Sequence, residues 1–370
     1  MSIENRRVRH FSKVTLNGIV YGENQLLTLI NTKLNSDGIQ TWEKDIYRFI
    51  NELINEKDYI QAQSSGTTGK AKQIKLRKRD LIESAIRTQN YFHLKSADNA
   101  LLCLPVSYIA GKMMIVRAFV TGFNLRYVEP SSDPFKNISD TIDFTALTPY
   151  QLSLSLENKN LDKVKNIIVG GAPVSERLLQ KIQNLKCNVF ETYGMTETCS
   201  HIAIKPLNGD LKSAFFSILP DFNVSLDERG CLVVKLADGT KLITNDLVQL
   251  EKGYFKWLGR YDNVINSGGI KLYPEQIEKK LELVLKHEFL ISSEKHETLG
   301  EQVVLILKTD DKDSSDFDIN AIRNNLDGVL SSYERPKKLY LLPEFIETSN
   351  GKIKRKETIN SIVGKRGYVL

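Results

Sequence analysis

The alternation of apolar and polar positions changes character along the chain. From about Gly22 to Asn55 it reads as helices around Trp42, and Arg79 to Phe92 reads as another helix. Short apolar runs follow at Ala100 to Leu104, Leu125 to Val128, Phe144 to Leu147 and Asn166 to Val169, the last ending at Gly170-Gly171. Their length and uniform apolarity suit buried strands. Helical stretches separate them, notably Val174 to Gln183, where Ser175 and Glu176 suit a first turn. Strand and helix in alternation predict an α/β fold around a largely parallel sheet.

After Pro206 the texture becomes that of hairpins. Asn223 to Leu226, Cys231 to Leu236 and Leu242 to Thr244 are β-type runs separated by Asp-Glu-Arg-Gly and Asp-Gly turns. A second unit is expected from about Asp262, with a turn at Gly268-Gly269, helices over Pro274 to Leu285 and Ile319 to Leu330, and strands over Gln302 to Leu307 and Lys338 to Leu342. That βαβαβ-like order predicts two domains, 1–261 and 262–370, with a polar acidic loop over Thr309 to Asp318. The larger would hold mixed, mostly parallel sheet with helices and a β-rich subdomain; the smaller would be α+β.

Composition changes this picture little. A chain of 370 residues, 41% hydrophobic and 26% charged, has room for two cores. Its net charge of 51 − 45 = +6 is spread out rather than gathered in a basic stripe with aromatics, which argues against a nucleic-acid partner and suits an enzyme handling polyphosphates. Cys103, Cys187, Cys199 and Cys231 form no C-x-x-C pair, so reduced thiols in a cytoplasmic protein are expected rather than zinc. Met1 to Lys13 lacks the apolar core of a signal peptide, and no apolar run is long enough to span a bilayer.

The densest local chemistry is Ser64-Ser65-Gly66-Thr67-Thr68-Gly69-Lys70-Ala71-Lys72. Glycines that let the backbone approach an anion, hydroxyl donors and lysines make a polyphosphate cradle. The glycines stand too close together for a Walker A loop. A flexible polar linker has the same composition.

In its order of residues this loop resembles the phosphate-binding signature of the adenylate-forming superfamily, with Ala71 where proline is usual. Further segments resemble that family's motifs in sequence order: Gly170-Gly171-Ala172-Pro173, Glu191-Thr192-Tyr193-Gly194-Met195-Thr196-Glu197, Thr244-Asn245-Asp246 (Asn245 replacing glycine), Gly259-Arg260-Tyr261-Asp262, Ser267-Gly268-Gly269 and Asn350-Gly351-Lys352. The resemblance implies an ATP-dependent acid–CoA ligase with a mobile C-terminal domain. ATP would be held by Ser64, Ser65, Gly66, Thr67, Thr68, Gly69, Lys72, Gly171, Ala172, Pro173, Glu191, Thr192, Tyr193, Asp246 and Arg260. Within that set Tyr193 would stack on adenine, Asp246 would accept the ribose hydroxyls and Arg260 would support the ribose and phosphates. Thr196 would donate to the α-phosphate, Glu197 would hold Mg²⁺, and Lys352 would bridge the substrate carboxylate and α-phosphate. Asp262 would be the hinge, and Gly268 and Gly269 would pass the pantetheine arm of CoA.

The run Tyr193 to His201 and the segment Leu104 to Lys112 resemble the family's o-succinylbenzoate-activating branch, which serves menaquinone biosynthesis. That implies an aromatic dicarboxylate whose second carboxyl needs donors, with Tyr108, Lys112, Arg117, Ser200 and His201 as its lining. Tyr108 stands where many relatives have His. Arg117 reads equally as a surface helix residue, and His201 equally as a satisfied core histidine. Another aryl- or acyl-CoA synthetase, a stand-alone adenylation enzyme and a non-catalytic nucleotide-binding module are the other readings.

Overall fold

The computed structural model describes residues 13–63, 73–309, 318–347, 353–365 and 367–370. Ser64 to Lys72, Asn350, Gly351 and Lys352, and most of the expected acidic loop, lie outside them. The chain opens with a hairpin of β1 (Lys13–Leu16) and β2 (Ile19–Gly22), then α1 (Glu23–Leu34) and α2 (Thr41–Ile54). In α2 the buried Ile46, Tyr47, Phe49, Ile50 and Leu53 gather on one face, as helical spacing requires. The antiparallel pair β3 (Tyr59–Gln63) and β4 (Gln73–Arg77) brackets the glycine-rich segment. Next come α3 (Lys78–Phe92), β5 (Asn99–Leu102), α4 (Ile109–Thr121), β6 (Asn124–Tyr127) and β7 (Ile142–Leu147). The short α5 (Pro149–Ser155) starts in a capping box, where Thr148 accepts from Gln151 N and the Gln151 side chain reaches back. Then follow β8 (Val164–Val169), α6 (Glu176–Lys181) capped by Ser175, and β9 (Asn188–Gly194).

Antiparallel strands succeed these: β10 (His201–Pro206), β11 (Phe216–Ile218), β12 (Asn223–Leu226), β13 (Cys231–Lys235), β14 (Lys241–Glu251) and β15 (Tyr254–Arg260). They continue the sheet of the first half. The result is one 13-stranded sheet, ordered β12-β13-β14-β15-β11-β10-β9-β8-β7-β5-β6-β1-β2. It is parallel from β1 through β6, β5, β7 and β8 to β9, and antiparallel from β9 onward. The expected "largely parallel" sheet is therefore one half of a mixed sheet.

In the parallel half, strand periodicity divides uniformly apolar runs between two cores. Ala100, Leu102, Ile168 and Phe190 pack with Ile50, Leu81 and Met114 of α2, α3 and α4 on one face. Leu101, Ile167, Val169 and Val189 pack with Leu152 and Leu178 of α5 and α6 on the other.

A second sheet has its own cores. It contains β16 (Ile265–Ser267), β17 (Ile270–Leu272), β18 (Phe289–His296), β19 (Gly300–Lys308), β20 (Lys338–Leu342) and β21 (Tyr368–Val369). Its helices are α7 (Pro274–Leu281), α8 (Ile319–Val329) and α9 (Arg355–Asn360). The expected βαβαβ order needs correction. Among the described residues of this sheet only β19–α8–β20 is a parallel crossover; β18, unread in the sequence, pairs with β19 along its whole length in the antiparallel sense. Its apolar Phe289-Leu290-Ile291 start gives way to polar Ser292 to His296, too short a signal against the longer runs. Among the described residues no helix is long and apolar enough to cross a membrane.

Gly111, in the first turn of α4, shows how tightly that helix meets the strand-end loop before it. A Cβ there would fall 2.4 Å from the Pro105 carbonyl oxygen. Gly111→Ala is expected to destabilise the fold by about 1–3 kcal/mol through overpacking. A denaturant melt checks this, and an unchanged midpoint would contradict it.

Candidate nucleotide and acid site

Among the described residues, the Gly170–Pro173 and Glu191–Glu197 motifs lie around the carboxyl ends of β8 and β9, where the sheet changes sense, and Asp246 joins them through Tyr193. Beyond Val169 the chain turns through Gly170 and Gly171, the latter at φ +86°, which glycine adopts without strain. Two residues of β9 hold this turn. The Thr192 hydroxyl donates to the Val169 carbonyl at 3.0 Å, so close to Gly170 that a Cβ there would lie 2.7 Å from it. Buried Glu191 accepts from Val174 N at 3.2 Å and pairs with Lys205 of β10 at 2.5 Å. Ala172 and Pro173 lie within the turn so fixed.

Tyr193 and Asp246 come together across strands. The Tyr193 hydroxyl donates to Asp246 Oδ2 at 2.6 Å, and its ring meets Phe255 and Phe216 edge-on. Burial and the adjacent carboxylate raise the phenol above its ordinary range, so it remains a donor. Asp246 Oδ1 accepts from Trp257 Nε1 at 3.2 Å and Arg260 Nη1 at 3.4 Å. Asn245, in the place of the family's glycine, donates to Asp262 at 3.1 Å and accepts from Arg229 at 2.9 Å. The residue thus ties the turn carrying Asp262 to β14.

After Gly194 the chain reverses through a short turn, Thr196–Thr198, that carries half-buried Glu197. A Cβ on Gly194 would lie 2.4 Å from the Ser200 carbonyl, so glycine is what lets the hairpin close. The Thr198 hydroxyl accepts from Met195 N at 3.0 Å.

The residues expected to line the acid fall into separate places. Tyr108 is 47% exposed at the N-cap of α4. Lys112, one turn on, lies over the Phe49 ring, 3.9 Å from Glu52. It lines a cavity of about 270 Å³ with Gln63 and Gln73, which flank the glycine-rich segment. Arg117 is five positions further, about 140° round the helix, and about 13 Å along it from Tyr108.

Arg117 instead joins Ser200 and His201. The residue is 2% exposed, and its guanidinium donates to Ser200 Oγ at 2.8 Å and Thr88 Oγ1 at 3.3 Å. Met114 Sδ lies 3.6 Å from Nη1. Among the described residues it has no ion-pair partner, and burial pushes its pKa down to about 9. The proton order of this cluster follows from donor counting. Thr88 donates to Ser84 O at 3.1 Å, so its oxygen accepts from Arg117 and from His201 Nε2 at 3.4 Å. His201 Nδ1 then accepts from Ser200 Oγ at 3.2 Å. His201 is a neutral imidazole carrying its proton on Nε2. Burial, then Arg117 and Arg87, hold its pKa well below the ordinary value.

Gly268 and Gly269 form the β16–β17 turn at φ +58° and +84°, where both positions need left-handed backbone. Arg260 N and Asn263 Nδ2 both donate to Glu275 of α7, at 3.4 and 2.6 Å. Thr88, Lys205, Trp257 and Glu275 carry these contacts without any sequence motif around them; for Trp257, a lone indole three residues before Arg260 was the available signal.

His201 gives a pH prediction. Its folded pKa lies below the unfolded 6.5, so the unfolded state binds more protons and stability falls as pH drops below 6.5. The loss reaches about 1.4 kcal/mol per pH unit until the folded pKa is met. His201→Asn is expected to flatten the melting temperature between pH 7.5 and 5.5, and equal slopes in both proteins would contradict the assignment.

A family profile described as AMP-binding enzyme matches residues 56–225. The acyl-CoA synthetase (AMP-forming)/AMP-acid ligase II-like protein of Dyadobacter fermentans is 32% identical, covering 90% of this chain and 98% of its own, with a TM-score of 0.60. The 2-succinylbenzoate–CoA ligase of Enterococcus faecalis is 24% identical over 78% of this chain and 67% of its own length. The indoleacetate–CoA ligase of Aromatoleum aromaticum is 25% identical over 83% and 67%. The large mixed sheet followed by a small α+β sheet is the adenylate-forming fold, and with nearly the full length shared with the Dyadobacter protein the chain belongs to the AMP-binding, AMP-forming acyl-CoA synthetases.

Proposed function

We propose that this AMP-forming acid–CoA ligase takes o-succinylbenzoate as its acid, in menaquinone biosynthesis. In the first half-reaction a carboxylate oxygen attacks the α-phosphorus of ATP and pyrophosphate leaves with the P–O electron pair. In the second, the CoA thiolate attacks the acyl carbon and AMP leaves. Both steps need placement and charge stabilisation more than covalent help from the protein.

The residues are proposed to divide the work as follows. Gly171, Ala172 and Pro173, held by Glu191 and Thr192, form the wall for adenine beside Tyr193. Asp246 and Arg260 take the ribose side. Ser64, Ser65, Gly66, Thr67, Thr68, Gly69 and Lys72 take the phosphates, and Thr196 the α-phosphate. Lys352 bridges acid and phosphate from a C-terminal domain, 262–370, that turns about Asp262 and brings Gly268 and Gly269 to the CoA arm.

Among the described residues no group of three or more His, Cys, Asp or Glu could hold a metal. A lone carboxylate such as Glu197 fits Mg²⁺, which prefers one or two carboxylates with phosphate and water oxygens. When bound, Mg²⁺ would supply charge neutralisation for the phosphates.

The observation that carries the choice of acid is Arg117, a buried guanidinium compensated only by neutral groups among the described residues and tied to Ser200 beside the central motif. Such a charge is costly unless an anion completes the site. A second carboxylate, as in o-succinylbenzoate, does so, with Ser200 and neutral His201 as further polar lining. Tyr108 and Lys112 are proposed nearer the mouth. Similarity to the Enterococcus enzyme supports the same acid. A second reading, an aryl monocarboxylate, is favoured by the similarity to the Aromatoleum enzyme and by the closed neutral shell of Arg117.

Assays of pyrophosphate release with a panel of acids, Mg²⁺ and CoA or carrier protein separate these readings from a stand-alone adenylation enzyme. ATP binding without adenylate for any acid would instead indicate a non-catalytic module. Arg117→Met is expected to lower kcat/KM for o-succinylbenzoate at least about tenfold relative to indoleacetate, the scale of a lost charge-assisted contact. Equal losses for both acids would assign Arg117 to the framework.

A further inference from the structure

Trp257 reaches Asp246 because of an irregularity in β15. Asp246 pairs with Arg260 and Leu247 with Gly259, but Val248 pairs with Trp257, so β15 carries one extra residue there. Without that bulge Leu258 would stand opposite Val248. With it, the indole lies on the same side as Val248 and Asp246 and donates to Asp246 Oδ1 at 3.2 Å. The same stretch is held from behind by α7: Gln276 Nε2 donates to the Trp257 carbonyl at 3.3 Å and the Leu258 carbonyl at 2.8 Å.

A carboxylate has roughly four acceptor positions on its two oxygens. Tyr193 takes one on Oδ2, and Trp257 and Arg260 take two on Oδ1. The Arg260 contact, at 3.4 Å, is the longest. Tyr193 and Trp257 grip opposite oxygens and so fix the carboxylate plane. Arg260 is the partner a ligand hydroxyl can replace. We propose that Trp257 is a positioning residue for the nucleotide, its indole N–H orienting the Asp246 carboxylate on which the two ribose hydroxyls dock. This rests on the reading of Asp246 as the ribose acceptor.

The test compares ATP with 2′,3′-dideoxy-ATP in the full-length enzyme and in Trp257→Phe. The variant should raise KM for ATP about tenfold, the scale of one hydrogen bond to a charged acceptor, with kcat within about twofold. Its KM for dideoxy-ATP should change less than about twofold, because no hydroxyl remains to be misplaced. Equal increases for both nucleotides, or none for ATP, would overturn the positioning role. Equal KM values for ATP and dideoxy-ATP in the unaltered enzyme would instead remove Asp246 as ribose acceptor. A second measurement does not depend on the stability of Trp257→Phe. The chain has two tryptophans, so Trp42→Phe leaves Trp257 as its one indole. Its emission should shift on titration with ATP and shift less with dideoxy-ATP; identical responses to the two, or no response to ATP, would contradict the proposal.

Discussion

β9 is parallel to β8 on one side and antiparallel to β10 on the other, and the site depends on that double role. Its parallel neighbour ends in the glycine turn, which Thr192 and Glu191 hold from β9. Its antiparallel neighbour returns immediately, so Gly194 must pass against Ser200 and His201 without a side chain. Tyr193 between them points across the antiparallel half to Asp246. A one-residue slip of β9 would move every one of these side chains to the opposite face. Residues distant in sequence therefore meet because the strand carrying the central motif belongs to both halves of the sheet.

Two polar groupings flank this strand, and their electrostatics differ. Around buried Asp246 an acceptor is surrounded by donors from β9 and β15 that take three of its roughly four acceptor positions. Around Arg117 the donors outnumber their charge-bearing partners. The guanidinium is buried, its described hydrogen-bond partners are neutral, and His201 stays uncharged beside it. Both arrangements restrain flexible side chains before any ligand arrives, which lowers the ordering cost of binding.

Much of the architecture was legible in the sequence because buried parallel strands are short apolar runs punctuated by turns. The runs around Ala100, Leu125, Phe144 and Asn166 all became strands of one sheet. β18 was not legible, since half of it is polar. The continuity of the two sheet halves was hidden as well, because β10 and β11 bridge them through pairings that no local pattern announces. At the site, motifs pointed to Gly171, Tyr193 and Asp246 through their order along the chain. The partners that fix them, Lys205 and Trp257, come from ordinary strand positions, and Trp257 arrives only through a bulge. The resemblance groups Lys112 and Arg117 as lining for one acid. A separation of five on a helix sends them to different faces.

Acid activation before thiol capture is most directly measured by exchange of labelled pyrophosphate into ATP, with Mg²⁺ and without CoA. Adding o-succinylbenzoate should start the exchange, and replacing Asp246 by Ala should suppress it. Exchange that requires CoA, release of ADP and phosphate in place of AMP and pyrophosphate, or no exchange with any carboxylic acid would contradict an acyl-adenylate mechanism.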